Sequence, residues 1–423
     1  MSTPRPRALT AGPAALGAAL TGLVLGGAGL VSGRADVVAC GLAPLIWAIV
    51  VWGRRARPAD TSVTTGTLAP QGTRAVGEVR VNSGGELVEA VLEQGPRRTR
   101  TVIVPATAGV IGVASDVAHS GPTTLVSAVA RTVDADGALT GPASPRTDVT
   151  WYAVPGTARL TALPPAPRLT GLNGAHEGTR IGHGGDFRDI NPFAPGDELR
   201  RVDWRATARL ARRPGELFVR RTHALSDAST VIVIDTADDL GAVVASWGSG
   251  DSEASGVTSL DLAREAARAI AEATIAAGDR VALHELALRG RSIRSGGGAR
   301  QLAHVLTALS AIGPRADDER YRRTPPVPAG SVIYILSTFF DGDASRLALT
   351  WAAGGHRIVA VDTLPKPDLA RLTRQQDLAA RLLFAEQRAI LADLDRAGAA
   401  VVQWAAGADD LRTRLGAMAR ERR

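Results

Sequence analysis

The densest set of chemistry-bearing side chains lies between Gly182 and Arg221, where the chain reads GHGGDFRDINPFAPGDELRRVDWRATARLARRPGELFVRR. From Arg180 to His223 ten arginines stand against six acidic residues. Arg200, Arg201, Arg205 and Arg209 alternate with Asp197, Glu198 and Asp203. Such mixed signs suit bidentate guanidinium–carboxylate pairs better than a phosphate track. On chemistry alone the segment reads as a structural clasp holding two domains together. Pro195-Gly196-Asp197 is a strong turn former within it. Elsewhere the seven histidines are scattered, and neither His-x-x-x-His nor Cys-x-x-Cys occurs. Nothing resembles a nucleophile elbow. The glycines at Gly182, Gly184 and Gly185, and at Gly296–Gly298, are not followed by the Lys-Ser/Thr of a phosphate-binding loop, and read as turns. No catalytic residue is assigned, so a non-enzymatic protein without a small-molecule substrate is expected.

The elements that would position a site lie downstream. Thr230–Asp235 (TVIVID) and Val332–Phe339 (VIYILSTF) are buried-strand runs, as are Arg280–Leu286 and Arg357–Thr363. Helical periodicity spans Leu260–Ala277, with Asp261 favouring its N-terminus, and also Arg300–Ile312, Arg346–Ala353 and Leu378–Ala397. A short Arg291–Arg294 strand, Ala400–Trp404 and a last helix over Asp409–Arg420 complete the region. Strands alternating with helices predict a doubly wound, mainly parallel sheet. Such sheets bind ligands outside the carboxyl ends of their strands at the switch in strand order. That places the candidate loops at Asp235–Asp239 and Ser337–Asp343. The Gly/Ser/Ala-rich insert Gly241–Ser259 reads as a mobile loop at their rim.

The 423 residues carry 49 basic and 42 acidic side chains, a net charge of +7. Lys366 is the only lysine, and the single cysteine, Cys40, excludes a disulfide-stapled secreted module. No charge occurs from Ala8 to Val31, and a second apolar run spans Val37–Trp52. Each is long enough, with its flanks, to cross a hydrocarbon layer of about 30 Å. Only Arg34 and Asp36 separate them, so residues 1–59 read as a transmembrane hairpin with helices over about 8–31 and 35–53. Gly22 and Gly26 have the spacing that lets membrane helices approach closely. Arg5, Arg7, Arg54, Arg55 and Arg57 flank the hairpin on one side. By the positive-inside rule that side is cytoplasmic, which makes this a two-pass inner-membrane protein with its bulk in the cytoplasm. The hairpin region holds six arginines and one acid, so +5 of the +7 belongs to it. The remainder is nearly neutral, and no nucleic-acid partner is expected.

Residues 60–168 read as a small β-sandwich-like module with flanking linkers. Thr61–Thr73 is a Thr/Gly-rich tether, and Pro155–Pro167 closes the module. Short alternating runs lie at Ala75–Val81, Leu87–Leu92, Thr99–Val104, Leu125–Val129 and Val149–Val154, broken by Gly, Pro and Asn.

The ordered string from Asp186 to Arg209 resembles the domain of unknown function 58 family of bacterial, often membrane-anchored proteins. Its signature looks like Glu-Phe, Arg-x-Tyr-x-Pro-Gly-Asp, Arg-Arg-Ile-Asp-Trp and Ala-Arg. Asp186, Phe187, Phe193, Pro195, Gly196, Asp197, Arg200, Arg201, Val202, Asp203, Trp204, Ala208 and Arg209 fill those places. Asn191 stands where the family usually has arginine, and Asp186 replaces glutamate. The resemblance implies that residues 169–228 are the family signature segment and 229–423 a von Willebrand factor type A-like domain. It also implies a partnership with a MoxR-type AAA+ ATPase. Proteins of that fold often hold Mg²⁺ through Asp-x-Ser-x-Ser, a distant threonine and an aspartate. Here Asp235 is present, but Ala237 and Asp239 replace the serines and Thr338 stands where an aspartate belongs, with Asp341 and Asp343 nearby. The metal site therefore reads as degenerate and no cofactor is expected. The leading expectation is a membrane-tethered interaction or scaffold protein acting in complex assembly or maturation. The alternative is a divalent-metal-dependent protein or enzyme using Asp235, Asp239 and Asp341.

Overall fold

The computed structural model describes residues 9–54, 60–71, 73–95, 98–160, 163, 176–226, 228–248, 256–314 and 324–406. Arg5, Arg7, Arg55, Arg57 and the helix expected over Asp409–Arg420 lie outside them. The chain divides into two compact units, Met1–Val117 with Thr123–Trp151, and Ala118–Pro122 with Tyr152–Arg423.

The first unit opens with a short strand β1 (Thr10–Ala11), then helices α1 (Pro13–Ser32) and α2 (Ala35–Arg54). Both helices are long and apolar enough to cross a membrane. The first starts at Pro13 rather than Ala8 because Thr10 and Ala11 pair with a later strand. Proline at the first helical position suits that start, its missing N–H being unneeded there. Gly33, at φ +66°, caps the helix and turns the chain. Glycine is required where the two helices touch: a Cβ on Gly41 would lie 2.7 Å from the Gly26 nitrogen, and one on Gly22 would lie 2.9 Å from the Gly41 carbonyl oxygen.

The remaining strands of this unit are β2 (Thr61–Gln71), β3 (Arg74–Ser83), β4 (Leu87–Gln94), β5 (Arg98–Pro105), β6 (Val110–Asp116), β7 (Gly121–Val133), β8 (Leu139–Thr140) and β9 (Thr147–Ala153). They form two sheets, one ordered β1-β8-β7-β4-β5 with β9 on β7, the other β2-β3-β6. Alternate residues of both, including Val79, Val81, Val88, Ala90, Ile111, Val126 and Ala128, build one shared core. The expected tether at Thr61–Thr73 is instead largely strand β2, antiparallel to β3. Its β-branched threonines favour that conformation. Val63 and Leu68 pack on the core, and a register shift between Thr65 and Leu68 accommodates Gly66. At the hairpin's base, Leu9, Ala15, Val51, Ala138 and Leu139 make a separate small cluster.

In the second unit a long antiparallel pair, β10 (His176–Pro192) with β11 (Phe218–Ser226), brackets helix α3 (Trp204–Leu210). Gly182, Gly184 and Gly185 belong to β10 rather than to turns. The pairing register shifts between Gly182 and Phe187, the kind of irregularity glycines tolerate in a ladder.

Then come β12 (Ser229–Asp235), α4 (Ser259–Ala276), β13 (Arg280–Leu286), β14 (Ser292–Gly296), α5 (Gly298–Leu309), β15 (Val332–Ser337), α6 (Asp343–Ala353), β16 (Arg357–Asp362), α7 (Arg374–Arg396) and β17 (Ala400–Gln403). The sheet order is β14-β13-β12-β15-β16-β17, all parallel except the edge strand β14. Helices cover both faces. Ile232, Ile234 and Leu283 point into one core with α4 and α5, while Val231, Val233 and Ala282 point into the other with α6 and α7. The strand order reverses between β12 and β15, which is where such a sheet leaves a crevice. Helix α4 starts with a capping box in which Thr258 and Asp261 exchange bonds, as the position of Asp261 led one to expect.

Candidate functional site

The end of β12 and the end of β15 meet at the reversal point. Asp235 is buried there, accepting a 2.7 Å bond from the Ser337 hydroxyl on one oxygen and a 3.1 Å bond from the Ala237 amide on the other. Ser337 Oγ in turn accepts from the Phe339 amide at 2.9 Å. That bond helps hold Phe339 at φ +58°, a left-handed backbone unusual for a bulky residue. The Thr338 hydroxyl donates to Asp238 at 2.8 Å, and Asp341 accepts from the Asp343 amide at 3.0 Å, starting α6. Of the degenerate metal candidates, Asp235, Thr338 and Asp341 thus each have a protein partner. Asp235 serves Ser337 and the backbone, Thr338 serves Asp238, and Asp341 serves a helix start. Asp239 lies within electrostatic reach of the buried Arg264. Among the described residues, no group of three or more His, Cys, Asp or Glu is arranged to hold a metal ion.

Three features of this end of the sheet escaped sequence reasoning. Asp362, closing β16 beside Ser337, is buried, and burial pushes its carboxyl pKa up to about 7 against a bond from the Leu364 amide. Gln387 of α7 reaches in to donate to the Thr338 carbonyl at 2.8 Å. The start of the expected mobile insert is pinned: the Trp247 indole donates to the Gly241 carbonyl at 2.7 Å and packs on Phe340 and Phe384. A lone strand-terminal Asp or a Trp in a Gly/Ser segment carries no spacing signal that would have revealed these roles.

A second network surrounds Asp261. It accepts from the His119 ring at 2.7 Å, from the Ser120 amide and hydroxyl at 2.7 and 2.8 Å, and from Thr258. Burial raises its pKa, but the bonds from His119, Ser120 and Thr258 outweigh burial and leave it below the usual carboxylate range. Arg264, almost wholly buried, donates to the Ile312 carbonyl at 3.0 Å and closes on Ser120 and Asp261. Gly121, at φ +84°, passes so close that a Cβ would lie 2.7 Å from the guanidinium carbon. Serine, histidine and arginine all close on this one carboxylate, which braces the His119–Ser120 segment against the start of α4.

The signature segment is built upward from its turn. Gly196 takes φ +99°, the Asp197 amide donates to the Ala194 carbonyl, and the Asp197 carboxylate accepts from the Ala194 amide at 3.0 Å. That amide and then Arg221, also at 3.0 Å, hold the Asp197 carboxyl below its ordinary pKa. Glu198 pairs with Arg200 and Arg201. Asp203 caps α3 by accepting from the amides of Arg205 and Ala206, and Glu216 accepts from those of Arg212 and Arg213. The expected network of Arg–carboxylate pairs is therefore only partly formed, because two of the acids serve backbone amides instead. Trp204 is 69% exposed, and Phe187, Phe193, Arg200 and Arg209 also face solvent. The Arg220 guanidinium lies 5.4 Å from the centre of the Phe187 ring. Pro195 stands in the turn, and Arg201, Asp203 and Trp204 line an open groove beside it. Asp186 lies within β10.

Residues 189–373 match the family model described as "Protein of unknown function DUF58", covering most of the signature and the sheet through β16. The chain carries a DUF58 domain. No curated protein and no solved structure matches. Within the DUF58 match, the signature's turn, cap and groove-lining residues come together on one end of the β10–β11 pair, while Asp235, Thr338 and Asp341 lie at the carboxyl end of the sheet.

Proposed function

We propose that this chain is a membrane-tethered, non-enzymatic docking protein whose α/β region is von Willebrand factor type A-like. It sits in the inner membrane by α1 and α2, keeps its bulk in the cytoplasm, and works with a MoxR-type AAA+ ATPase in the assembly or maturation of protein complexes. The observation that carries the reading is the outward presentation of the DUF58 signature. A signature that served only the fold would bury its tryptophan and pair its arginines, whereas Trp204 and Arg209 stand in solvent. Exposed Trp and Arg are the side chains most enriched at the energetic centres of protein interfaces. The helices on both sheet faces and the switch point between β12 and β15 support the fold assignment. The pair of apolar helices supports the tether.

The test is co-purification from native membranes in detergent with ATP present. Recovery of a MoxR-type ATPase with the wild-type chain is expected, and repeated failure in the ATP-bound state sinks the partner assignment. The same purified chain distinguishes the metal-dependent alternative. Calorimetric titration with Mg²⁺ or Mn²⁺ is expected to give no saturable heat. A millimolar-or-tighter signal lost in Asp235→Ala defeats the metal-free reading.

A further inference from the structure

The signature face is more basic than its sequence suggests. Between Asp197 and Arg221 eight arginines accompany four acids, yet each acid is already engaged. Asp197 is held by Arg221 and a turn amide, Glu198 by Arg200 and Arg201, Asp203 by the start of α3, and Glu216 by two backbone amides. Among the described residues no carboxylate pairs with Arg205, Arg209, Arg212, Arg213 or Arg220. Of these cations Arg220 lines an open groove of about 580 Å³, together with Arg200, Arg201, Asp203, Trp204 and Thr222, and Arg205 and Arg209 are exposed on α3, the helix that Trp204 begins.

We infer that this groove takes an acidic protein segment carrying an apolar or aromatic side chain. The inference rests on the docking reading above and names the chemistry of the partner's contact. Carboxylates of the segment pair with Arg220 in the groove and with Arg205 on the exposed side of α3, and its apolar side chain lies on Trp204, which is largely exposed. Desolvated pairing of that kind draws specificity from charge complementarity and affinity from the aromatic anchor. Concavity argues against a bilayer as occupant, because a flat headgroup plane cannot enter the groove. The carboxylates of Glu198 and Asp203 argue against nucleic acid. They interrupt the positive track that a continuous phosphate backbone needs, whereas a peptide can space its own charges around them.

The test uses the full chain in phosphatidylcholine nanodiscs and fluorescence anisotropy. The probe is a labelled fifteen-residue peptide in which Asp and Glu alternate with Leu and Phe. Its counterpart replaces every acid by lysine. The acidic peptide is expected to bind at least tenfold more tightly than the lysine peptide, and to weaken as salt is raised. Trp204→Ala and Arg220→Glu, both at exposed or groove positions, are each expected to weaken it tenfold. The pair Arg205→Glu and Arg209→Glu on the outer face of α3 serves as an independent variant. Equal binding of the two peptides, or binding unchanged in all these variants, overturns the inference. So does groove-dependent binding of phosphatidylglycerol vesicles or duplex DNA that exceeds binding of the acidic peptide. If the ATPase co-purifies with wild type and Arg220→Glu alike while the peptide fails, the groove inference falls and the docking reading stands. If the peptide binds and no ATPase is recovered, the reverse holds.

Discussion

Asp362 shows how a single carboxyl can tie stability to pH. Its folded pKa of about 7 stands above the ordinary 3.8 because burial disfavours the charged form. Between those values the folded state therefore holds a proton that the unfolded chain has lost. The neutral carboxyl's stabilisation is fully present below pH 4, is lost as pH rises towards 7, and changes little beyond. A shift of that size is worth at most about 4 kcal/mol. Asp362→Asn keeps an acceptor for the Leu364 amide and removes the charge. It is expected to raise the unfolding temperature at pH 8, with the gain shrinking as pH approaches 4. A gain independent of pH would show that the carboxyl's titration is not its source. Asp261 has the opposite sign. Its pKa is lowered, so its contribution is present above the ordinary carboxylate pKa and is lost on acidification. Replacing Arg264 by Met would leave Asp261 without its buried cation and is expected to cost about 3–5 kcal/mol in urea unfolding of the detergent-solubilised chain. A cost below about 1 kcal/mol would mark the brace as dispensable.

The elements divide by how strongly burial writes itself into a pattern. Strands β12, β15 and β16 are sealed on both faces, so they appear as unbroken apolar runs and their positions were legible. The helices α4, α5 and α7 were legible from their amphipathic spacing, within a few residues at each end. Strand β2 was not, since its threonines and glycine look the same in a tether and in an edge strand, and only pairing with β3 decides between them. Strand β6, carrying Ile111 and Val113 in a Gly/Ala segment, was missed for the same reason. In the signature the residues were legible but their roles were not. Whether Asp203 meets an arginine or two backbone amides depends on where α3 begins. For the hairpin, glycine spacing gave a contact that the structure contains. Gly41→Leu is expected to abolish the close approach of α1 and α2, because the new side chain would enter space held by Gly22 and Gly26. Crosslinking between cysteines placed on the two helices measures it, and undiminished crosslinking would rule out glycine-mediated packing.

At the scale of the whole molecule, the net charge of +7 is concentrated, with +5 of it in residues 1–59 around the hairpin. Topology is testable because Cys40 is the only thiol. In a Cys40→Ala background, Ser32→Cys beside the hairpin turn is expected to react with a membrane-impermeant maleimide in intact cells. Thr99→Cys, on an exposed stretch of β5, is expected to react only after lysis. The reverse pattern would place the bulk of the chain on the other side. The two-residue strand β1 gives the hairpin a further consequence for biosynthesis. Thr10 and Ala11 leave the ribosome before either apolar helix, yet their partners Leu139 and Thr140 emerge some 130 residues later. Their sheet can be completed only after both apolar helices between them have been made. A fragment trimmed to begin after the hairpin would lose that first strand and uncover Ala138 and Leu139. The hairpin region is thus a structural part of the module that follows it, and trimming it for solubility would remove a piece of the fold.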